Sequence, residues 1–521
     1  MVGYVADTVG SYANRKTTFR QNIKCFGFCV LIAISNFQYG FDTGILNGFQ
    51  AMQGFLRVFG VPSPTKPGVF VIETTFQQLI TSLLQVGLIV SSCVVGPFSV
   101  YFGRRVGLFA ATLISFVGIT IQIVVTVQWP LYIGRLLLGI ANGIFVNLTV
   151  LYISELAPAH LRGMFVTVFQ PFVNVGQFIG AIVSNALKGN LTKHSYQIQL
   201  AILYIVPAFL FFAVWFVPES PRWLAVHDRP EDAARSLARI RPSETTQEDL
   251  DTELKDILES IRLEREIAQS TSWFDIWKGP DLRRTLLCIA CATFHAASGV
   301  NLLVGYSTFF FQIAGSTKPF TNTIIVQCVS VAMAFAALGF ARRFGRRTIL
   351  LIGFTITTIC FFAIPIIYTV SPTAKASGRA LVALLCIFMG TYGASIGPLS
   401  WVTAGEMTSN QLRSHSFGVS MAIGFIFAWL TVFTLPYYIN TTGLNLGVKV
   451  TWIFAPSNLI TLVFIFFFLP ETKGRSLEEL DELFYHRVPA RKFSSYKTQT
   501  SQSADEVSSS EKASVRMEEN V

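Results

Sequence analysis

Long apolar runs, each closed by a few charged residues, fill most of this chain. Their windows place helices at roughly 25–49, 76–98, 106–127, 131–153, 163–187 and 200–217, each near the twenty residues that cross a bilayer. The second half repeats the pattern at roughly 284–311, 321–341, 348–370, 380–404, 415–438 and 449–469. The polar punctuation repeats with it. Gly103-Arg104-Arg105 returns 242 positions later as Gly345-Arg346-Arg347, and Pro218-Glu219-Ser220 returns 252 positions later as Pro470-Glu471-Thr472. Glu155 and Arg162 return as Glu406 and Arg413, each pair seven residues apart. Tandem duplication of a membrane-embedded unit is how two-lobed secondary transporters are built, with the substrate site between the lobes. The pattern predicts an all-α membrane protein of twelve transmembrane helices in two six-helix lobes.

The lobes are expected at 25–217 and 284–469. An even number of spans puts both chain ends on one side. Arg104, Arg105, Arg342, Arg343, Arg346 and Arg347 flank predicted spans there, and such basic residues mark the cytoplasm. The basic segment 1–24 precedes an apolar stretch too long for a signal-peptide core, so no cleaved signal is expected. Sequons at Asn190 and Asn440 fall in loops this topology places outside and are candidate glycosylation sites. A third match, at Asn147, lies inside a predicted helix and reads as chance. Between the lobes, 218–283 is a charged cytoplasmic linker in which Leu254, Ile257, Leu258 and Ile261 have the spacing of an amphipathic helix. The segment 470–521 is expected to be a cytoplasmic tail, disordered beyond Glu482 where serine and charge dominate.

Composition agrees with a polytopic protein. The 521 residues are 52% hydrophobic and 13% charged, against about 25% charged in soluble domains. The net charge of +10 sits at helix ends rather than on a basic aromatic surface, so nucleic acid is not an expected partner. Cys288 and Cys291 have a CxxC spacing, yet they lie in a predicted span without a second pair, and they read as packing residues rather than a metal site. There is no phosphate-cradling glycine loop, metal cluster or nucleophile–base pair. No enzyme, metal or cofactor is expected.

Several motifs then converge. Gly134-Arg135 with Gly139 and Gly143, Tyr152-x-Ser154-Glu155-x-Ala157-Pro158 and Arg162-Gly163 resemble the sugar porter family of the major facilitator superfamily. So do Pro218-Glu219-Ser220-Pro221-Arg222-Trp223 and Pro470-Glu471-Thr472-Lys473-Gly474-Arg475-Ser476. The chain is most similar to fungal sugar/proton symporters, and Glu406-Met407-Thr408-Ser409 through Leu412-Arg413 resembles the maltose and α-glucoside permease branch. The resemblance covers nearly the whole membrane region. It implies the facilitator fold, sugar import by alternating access, a monomer in the bilayer and the plasma membrane as residence. Arginines beside glutamates at cytoplasmic helix ends can form ion pairs that hold in one state and break in another. Arg104, Arg105, Glu155, Arg162, Glu219 and Arg222 would form one such gate, and Arg346, Arg347, Glu406, Arg413 and Glu471 its copy. Family members usually carry aspartate three residues before the glycine of Gly-Arg-Arg. Here Val100 and Arg342 stand there, so the gate must be wired differently.

Asp42 lies within the first span, where an ionisable group costs about 2.5–3.5 kcal/mol and is a functional candidate by default. Its expected partner is Arg135 in the fourth span. A carboxyl held between the opposing pulls of burial and a neighbouring arginine can take a proton on one side and release it on the other. In the resemblance, proton-coupled members carry aspartate at this position and facilitative ones generally do not. Sugar recognition needs neutral hydrogen-bonding groups and an apolar face. Gln170 and Gln177 lie seven apart on the fifth helix, and Asn301 and Trp401 match family positions that contact sugar. Tyr306 and His295 are further candidates. His295 and Ala296 replace a usual Gln-Gln pair, which leaves the sugar open among hexoses, pentoses, α-glucosides and related polyols or quinate. Proton–sugar symport is the leading expectation; a facilitative uniporter and a transport-silent sugar sensor are the alternatives.

Overall fold

The computed structural model describes residues 20–63, 67–158, 161, 165–166, 168–242, 245–270, 272–370, 375–409, 412–440, 443–473, 475, 477–493 and 496. The apolar windows are helices. Spans one to five are Ile23–Phe49, Thr74–Phe102, Arg104–Val124, Gln128–Leu156 and Phe169–Leu187, and span six is His194–Ile202 continued by Ile205–Ala213. Span seven is Gly279–Ala297 continued by Val300–Ile313; spans eight and nine are Pro319–Arg343 and Arg346–Val370. Span ten is Lys375–Ala394 continued by Ile396–Met407, and spans eleven and twelve are Arg413–Ile439 and Thr451–Phe468. Eleven of these are long and apolar enough to cross a bilayer by length and composition. The remaining one, the fifth, is 19 residues long and interrupted by Gln170, Asn174, Gln177, Ser184 and Asn185.

Lipid gives apolar helices no hydrophobic reason to associate, so close backbone approach through small residues takes over. Gly40, Gly44 and Gly48 of the first span face Val173, Gln177 and Ser184 of the fifth, whose own Gly176 and Gly180 face Phe37, Phe41 and Gly44. A Cβ on Gly44 would fall 2.7 Å from the Gln177 carbonyl oxygen. Gly87 and Gly139 bring the second and fourth spans together in the same way. The second lobe packs its seventh span on the eleventh, its eighth on the tenth and its ninth on the twelfth. Between lobes, the first span meets the seventh, the second meets the eleventh and the fifth meets the eighth.

The seventh and tenth spans are broken partway along their length. Gly299 has φ +75°, in the left-handed region, and an added Cβ would meet the rings of Phe361 and Phe454. Only glycine suits both demands. Ser395 interrupts the tenth span with φ −129° and ψ −76°. These breaks set His295, Asn301 and Tyr392 near the ends of half-helices rather than along continuous ones.

On the face away from the termini, the first span runs into a short helix, Gln53–Phe59, and a two-stranded ribbon pairing Val61–Pro62 with Phe70–Val71. Gln53 ties the ribbon down through both the amide and the carbonyl of Phe70. On the termini face, the linker folds into Pro221–Val226, Pro230–Ile240 and Gln247–Ser270. Leu224, Ala225, Ala233 and Ile261 bury together there, with Leu254 and Ile257 packed against them, as the amphipathic spacing requires; Leu258 is 39% exposed. The tail departs from expectation. Leu477–Tyr485 is a helix, and Leu483, Phe484, Val488 and Phe493 are buried in the second lobe's core. Apolar anchors spaced through charged sequence sufficed to dock residues that serine and charge alone would leave disordered. The stretch 497–521 lies outside the described residues.

Gly299→Ala is expected to cost about 1–3 kcal/mol in backbone strain alone. Thermal unfolding of the purified protein in detergent should show a lowered midpoint. Gly418→Ala, whose added methyl meets open space, should leave the midpoint unchanged.

Candidate functional site

Asp42 and Arg135 meet inside the first lobe. Arg135 Nη1 donates to Asp42 Oδ1 at 2.7 Å, and both side chains are essentially inaccessible. Arg135 Nε donates to the Ile80 carbonyl at 3.1 Å, and Asn142 Nδ2 donates to Asp42 Oδ2 at 3.1 Å. Removing one partner of a buried pair leaves an uncompensated charge, which is worth about 3–5 kcal/mol. Arg135 Nη2 and the Asn142 carbonyl oxygen keep unused hydrogen-bonding capacity. Asn142 lies two helical turns after Arg135, a spacing that would have identified it from sequence.

The faces of the two lobes that meet mid-membrane are polar and aromatic. In the second lobe, His295 Nδ1 shares a hydrogen bond with the Tyr392 hydroxyl, and the Trp401 ring lies 6.1 Å from the His295 ring. Asn301 lies beside His295, is 4% exposed and keeps its amide nitrogen without a protein partner. Tyr392 is within electrostatic range of Tyr39 in the first lobe. Gln177 Nε2 reaches Thr43 Oγ1 at 3.4 Å, whereas Gln170 Nε2 turns to Asn174 on its own helix at 3.1 Å. Asn36 and Gln38 are buried with neither amide atom engaged by protein. Buried amides are rarely left unpaired, so this region has capacity for water or a polyhydroxyl ligand.

Tyr306, expected at the sugar, is committed elsewhere. Its hydroxyl donates to the Val432 carbonyl at 2.8 Å and shares a 2.6 Å bond with Thr81 Oγ1. It belongs to a set of bonds that join the two lobes on the face away from the termini. There Asn47 Nδ2 donates to Ser307 Oγ at 2.6 Å, and the Thr308 amide donates to Asn47 Oδ1 at 2.8 Å. Gln78 Nε2 donates to the Phe433 carbonyl at 3.0 Å. Asn440 Nδ2, the atom a glycan would occupy, is buried and donates to Thr74 Oγ1 and Gln77 Oε1. Asn440 is therefore no acceptor in this state, contrary to its sequon. The signal that sequence reading passed over is a polar stripe, Gln77, Thr81 and Gln85, at four-residue steps on one face of the second span.

On the termini face the duplicated motifs do matching work in each lobe. Arg104 grips Glu155 with two prongs at 2.9 and 2.7 Å, and Arg346 reaches Glu406 Oε1 at 3.3 and 3.2 Å. Glu219 accepts from the backbone amides of Arg104 and Arg105, and Glu471 accepts from that of Arg346. Each carboxylate thus sits on a helix N-terminus, where a negative charge is favoured. Arg105 donates to the carbonyls of Val214 and Trp215 that end the sixth span, and Arg347 donates to that of Phe466 near the end of the twelfth. The ion-pair expectation was too narrow, since Glu219, Glu471, Arg105 and Arg347 bond to backbone. Arg413 is exposed at the start of the eleventh span and makes no ion pair with Glu406 among the described residues. Arg222 is half-buried in the helix Pro221–Val226, while Arg162 and the side chain of Arg342 lie outside the described residues. At Val100, where aspartate is usual, the backbone carbonyl accepts the Trp223 indole N–H at 2.8 Å.

Twelve spans in two repeated lobes, with broken helices and facing polar surfaces at mid-membrane, define a transporter of the major facilitator fold. The chain belongs to the sugar (and other) transporter family, whose pattern it matches over residues 28–484. It is 28% identical over 473 residues to the hexose transporter HXT10 of Saccharomyces cerevisiae, covering 89% of this chain and 85% of that one. It is 28% identical over 472 residues to the major facilitator-type transporter ecdD of Aspergillus rugulosus, covering 88% and 87%. Among solved structures it resembles the Escherichia coli xylose transporter XylE in a partially occluded inward-open conformation, with TM-score 0.72, 21% identity and coverage of 87% and 100%.

The two ion pairs differ in depth. Side-chain exposure is 9% and 7% for Arg104–Glu155 but 27% and 22% for Arg346–Glu406. Glu155→Gln is expected to destabilise by about 3–5 kcal/mol, and Glu406→Gln by about 1 kcal/mol or less. Unfolding midpoints of the two variants in detergent should rank in that order.

Proposed function

We propose that this protein is a secondary active transporter that imports a sugar together with a proton by alternating access. The observation that carries the reading is the inaccessible Asp42–Arg135 pair, set on the first span whose other face, through Asn47, meets the second lobe. A carboxyl so placed exchanges its proton only when the lobes rearrange. Relatives named for hexose, glucose and galactose support a hexose-sized sugar. His295 with Tyr392, Asn301, Trp401 and Gln177 recognise it, through hydrogen bonds to hydroxyls and an indole against the ring's C–H face. The protein works as a monomer in the plasma membrane with both ends cytoplasmic; arginines gathered at the termini face support that orientation. At 100 mV, one inward positive charge contributes about 2.3 kcal/mol, roughly fiftyfold in accumulation before any pH gradient is counted.

Uptake of labelled hexoses, pentoses, α-glucosides and quinate by cells lacking their own sugar transporters, at acidic and neutral pH, tests the reading. Accumulation above equilibrium that collapses with a protonophore is expected. Equilibration indifferent to the protonophore would instead assign facilitated transport, and no uptake of any substrate would remove the reading. Asp42→Asn should abolish accumulation, by fiftyfold or more at about 100 mV, while sugar exchange across the membrane persists. Asn190, half-exposed on the face away from the termini, is the proposed glycan site. Asn190→Gln should increase gel mobility by the mass of one glycan.

A further inference from the structure

Three buried amides form one chain through the bonds that join the lobes on the face away from the termini. Asn440 Nδ2 donates to Gln77 Oε1 at 2.8 Å, Gln77 Nε2 donates to Gln50 Oε1 at 2.5 Å, and Gln50 Nε2 donates to the Gly305 carbonyl at 2.8 Å. The chain starts on the eleventh span, crosses to the second and the end of the first, and returns to the seventh. Both ends therefore lie in the second lobe and both middle members in the first. Exposure is 6% at Asn440, 0% at Gln77 and 1% at Gln50. The terminal acceptor is a main-chain carbonyl, which has no donor to offer in exchange. It fixes Gln50 as donor there, and so fixes the orientation of every amide behind it.

We infer that Gln77 is the positioning residue of a gate on this face, fastening the seventh and eleventh spans to one point so that they part from the first lobe as a unit. The inference rests on the alternating-access reading above. A buried chain in which each amide both donates and accepts resists piecemeal opening. Breaking one link orphans groups on both sides until water enters. Other bonds across the same seam, from Asn47 and Gln78, each join one first-lobe helix to one second-lobe helix, and Thr81 reaches the seventh and eleventh spans through Tyr306. Among the described residues, the amide chain joins two helices of the first lobe to two of the second. The same geometry makes Asn440 a gate member rather than a modification site, because its buried nitrogen spends both hydrogens, on Gln77 and Thr74, and a glycan would displace one of them.

Gly305 offers a reporter, since a side chain added there meets open space. In full-length protein carrying Cys93→Ser, Cys328→Ser and Gly305→Cys, reaction with a membrane-impermeant maleimide from the face away from the termini reads gate opening without any sugar. Gln77→Met is expected to speed labelling about tenfold, and Gln50→Met and Asn440→Leu should do likewise. The double variant Gln50→Met/Asn440→Leu should label no faster than either single one, because one break already opens the chain. Net uptake by Gln77→Met should fall at saturating sugar with a lower KM from that side, a split that general unfolding does not produce. Should Gln77→Met not yield folded protein, Asn440→Ala, which removes the donor without adding a charge, must give the same acceleration. Unchanged labelling, rate effects that multiply in the double variant, or a glycan on Asn440 of the mature protein would each overturn the inference. Because labelling needs no substrate, these results stand apart from success or failure of the uptake experiments.

Discussion

A bilayer interior offers no hydrogen-bond partner, so every polar group carried into it must be answered from within the protein. That constraint organises this molecule at each scale. It makes the spans helical and gives the helix ends their carboxylate and arginine caps. It also explains why Asp42 is never alone, being held by Arg135 and Asn142 together. Among the described residues, protein leaves buried amide atoms of Asn36, Gln38 and Asn301 unanswered.

Duplication supplied two equivalent frames, and the lobes then diverged in what they hold. The spacing of 251 that relates Glu155 to Glu406 also relates Arg135 to Cys386, so the second lobe has no arginine at the equivalent place. Its seventh and tenth spans are instead broken at Gly299 and Ser395, where they pack against the ninth span of the same lobe. The buried ion pair thus belongs to the first lobe and the breaks at Gly299 and Ser395 to the second. The first span links the two, carrying Asp42 on one face and Asn47 toward the seventh span on another.

Much of this was legible in the residues themselves. Apolar length gave the spans, and one acid and one arginine inside them were enough to pair Asp42 with Arg135, since a lone charge in that medium is not tolerated. Less accessible were contacts whose donors or acceptors are main-chain atoms. Nothing in the spelling of Glu219 or Arg105 distinguishes a side-chain ion pair from a cap on a helix terminus. The partners of Tyr306 and Asn440 were hidden for a related reason: a motif identifies a residue's neighbours in sequence but not which lobe its polar atom will reach. The amide stripe on the second span was readable as a pattern, yet its meaning depended on the opposing helix.

The soluble segments have a mechanical corollary. Arg241 binds Glu253 and the Leu156 carbonyl, so the linker helices are bolted to the first lobe. The next turn, Trp273–Trp277, is already part of the second, where Ile276 is buried and accepts from Thr285. The chain thus passes from first-lobe contacts, in the linker helix that ends at Ser270, to second-lobe contacts at Trp273–Trp277. A connection that short favours pivoting of one lobe against the other over sliding.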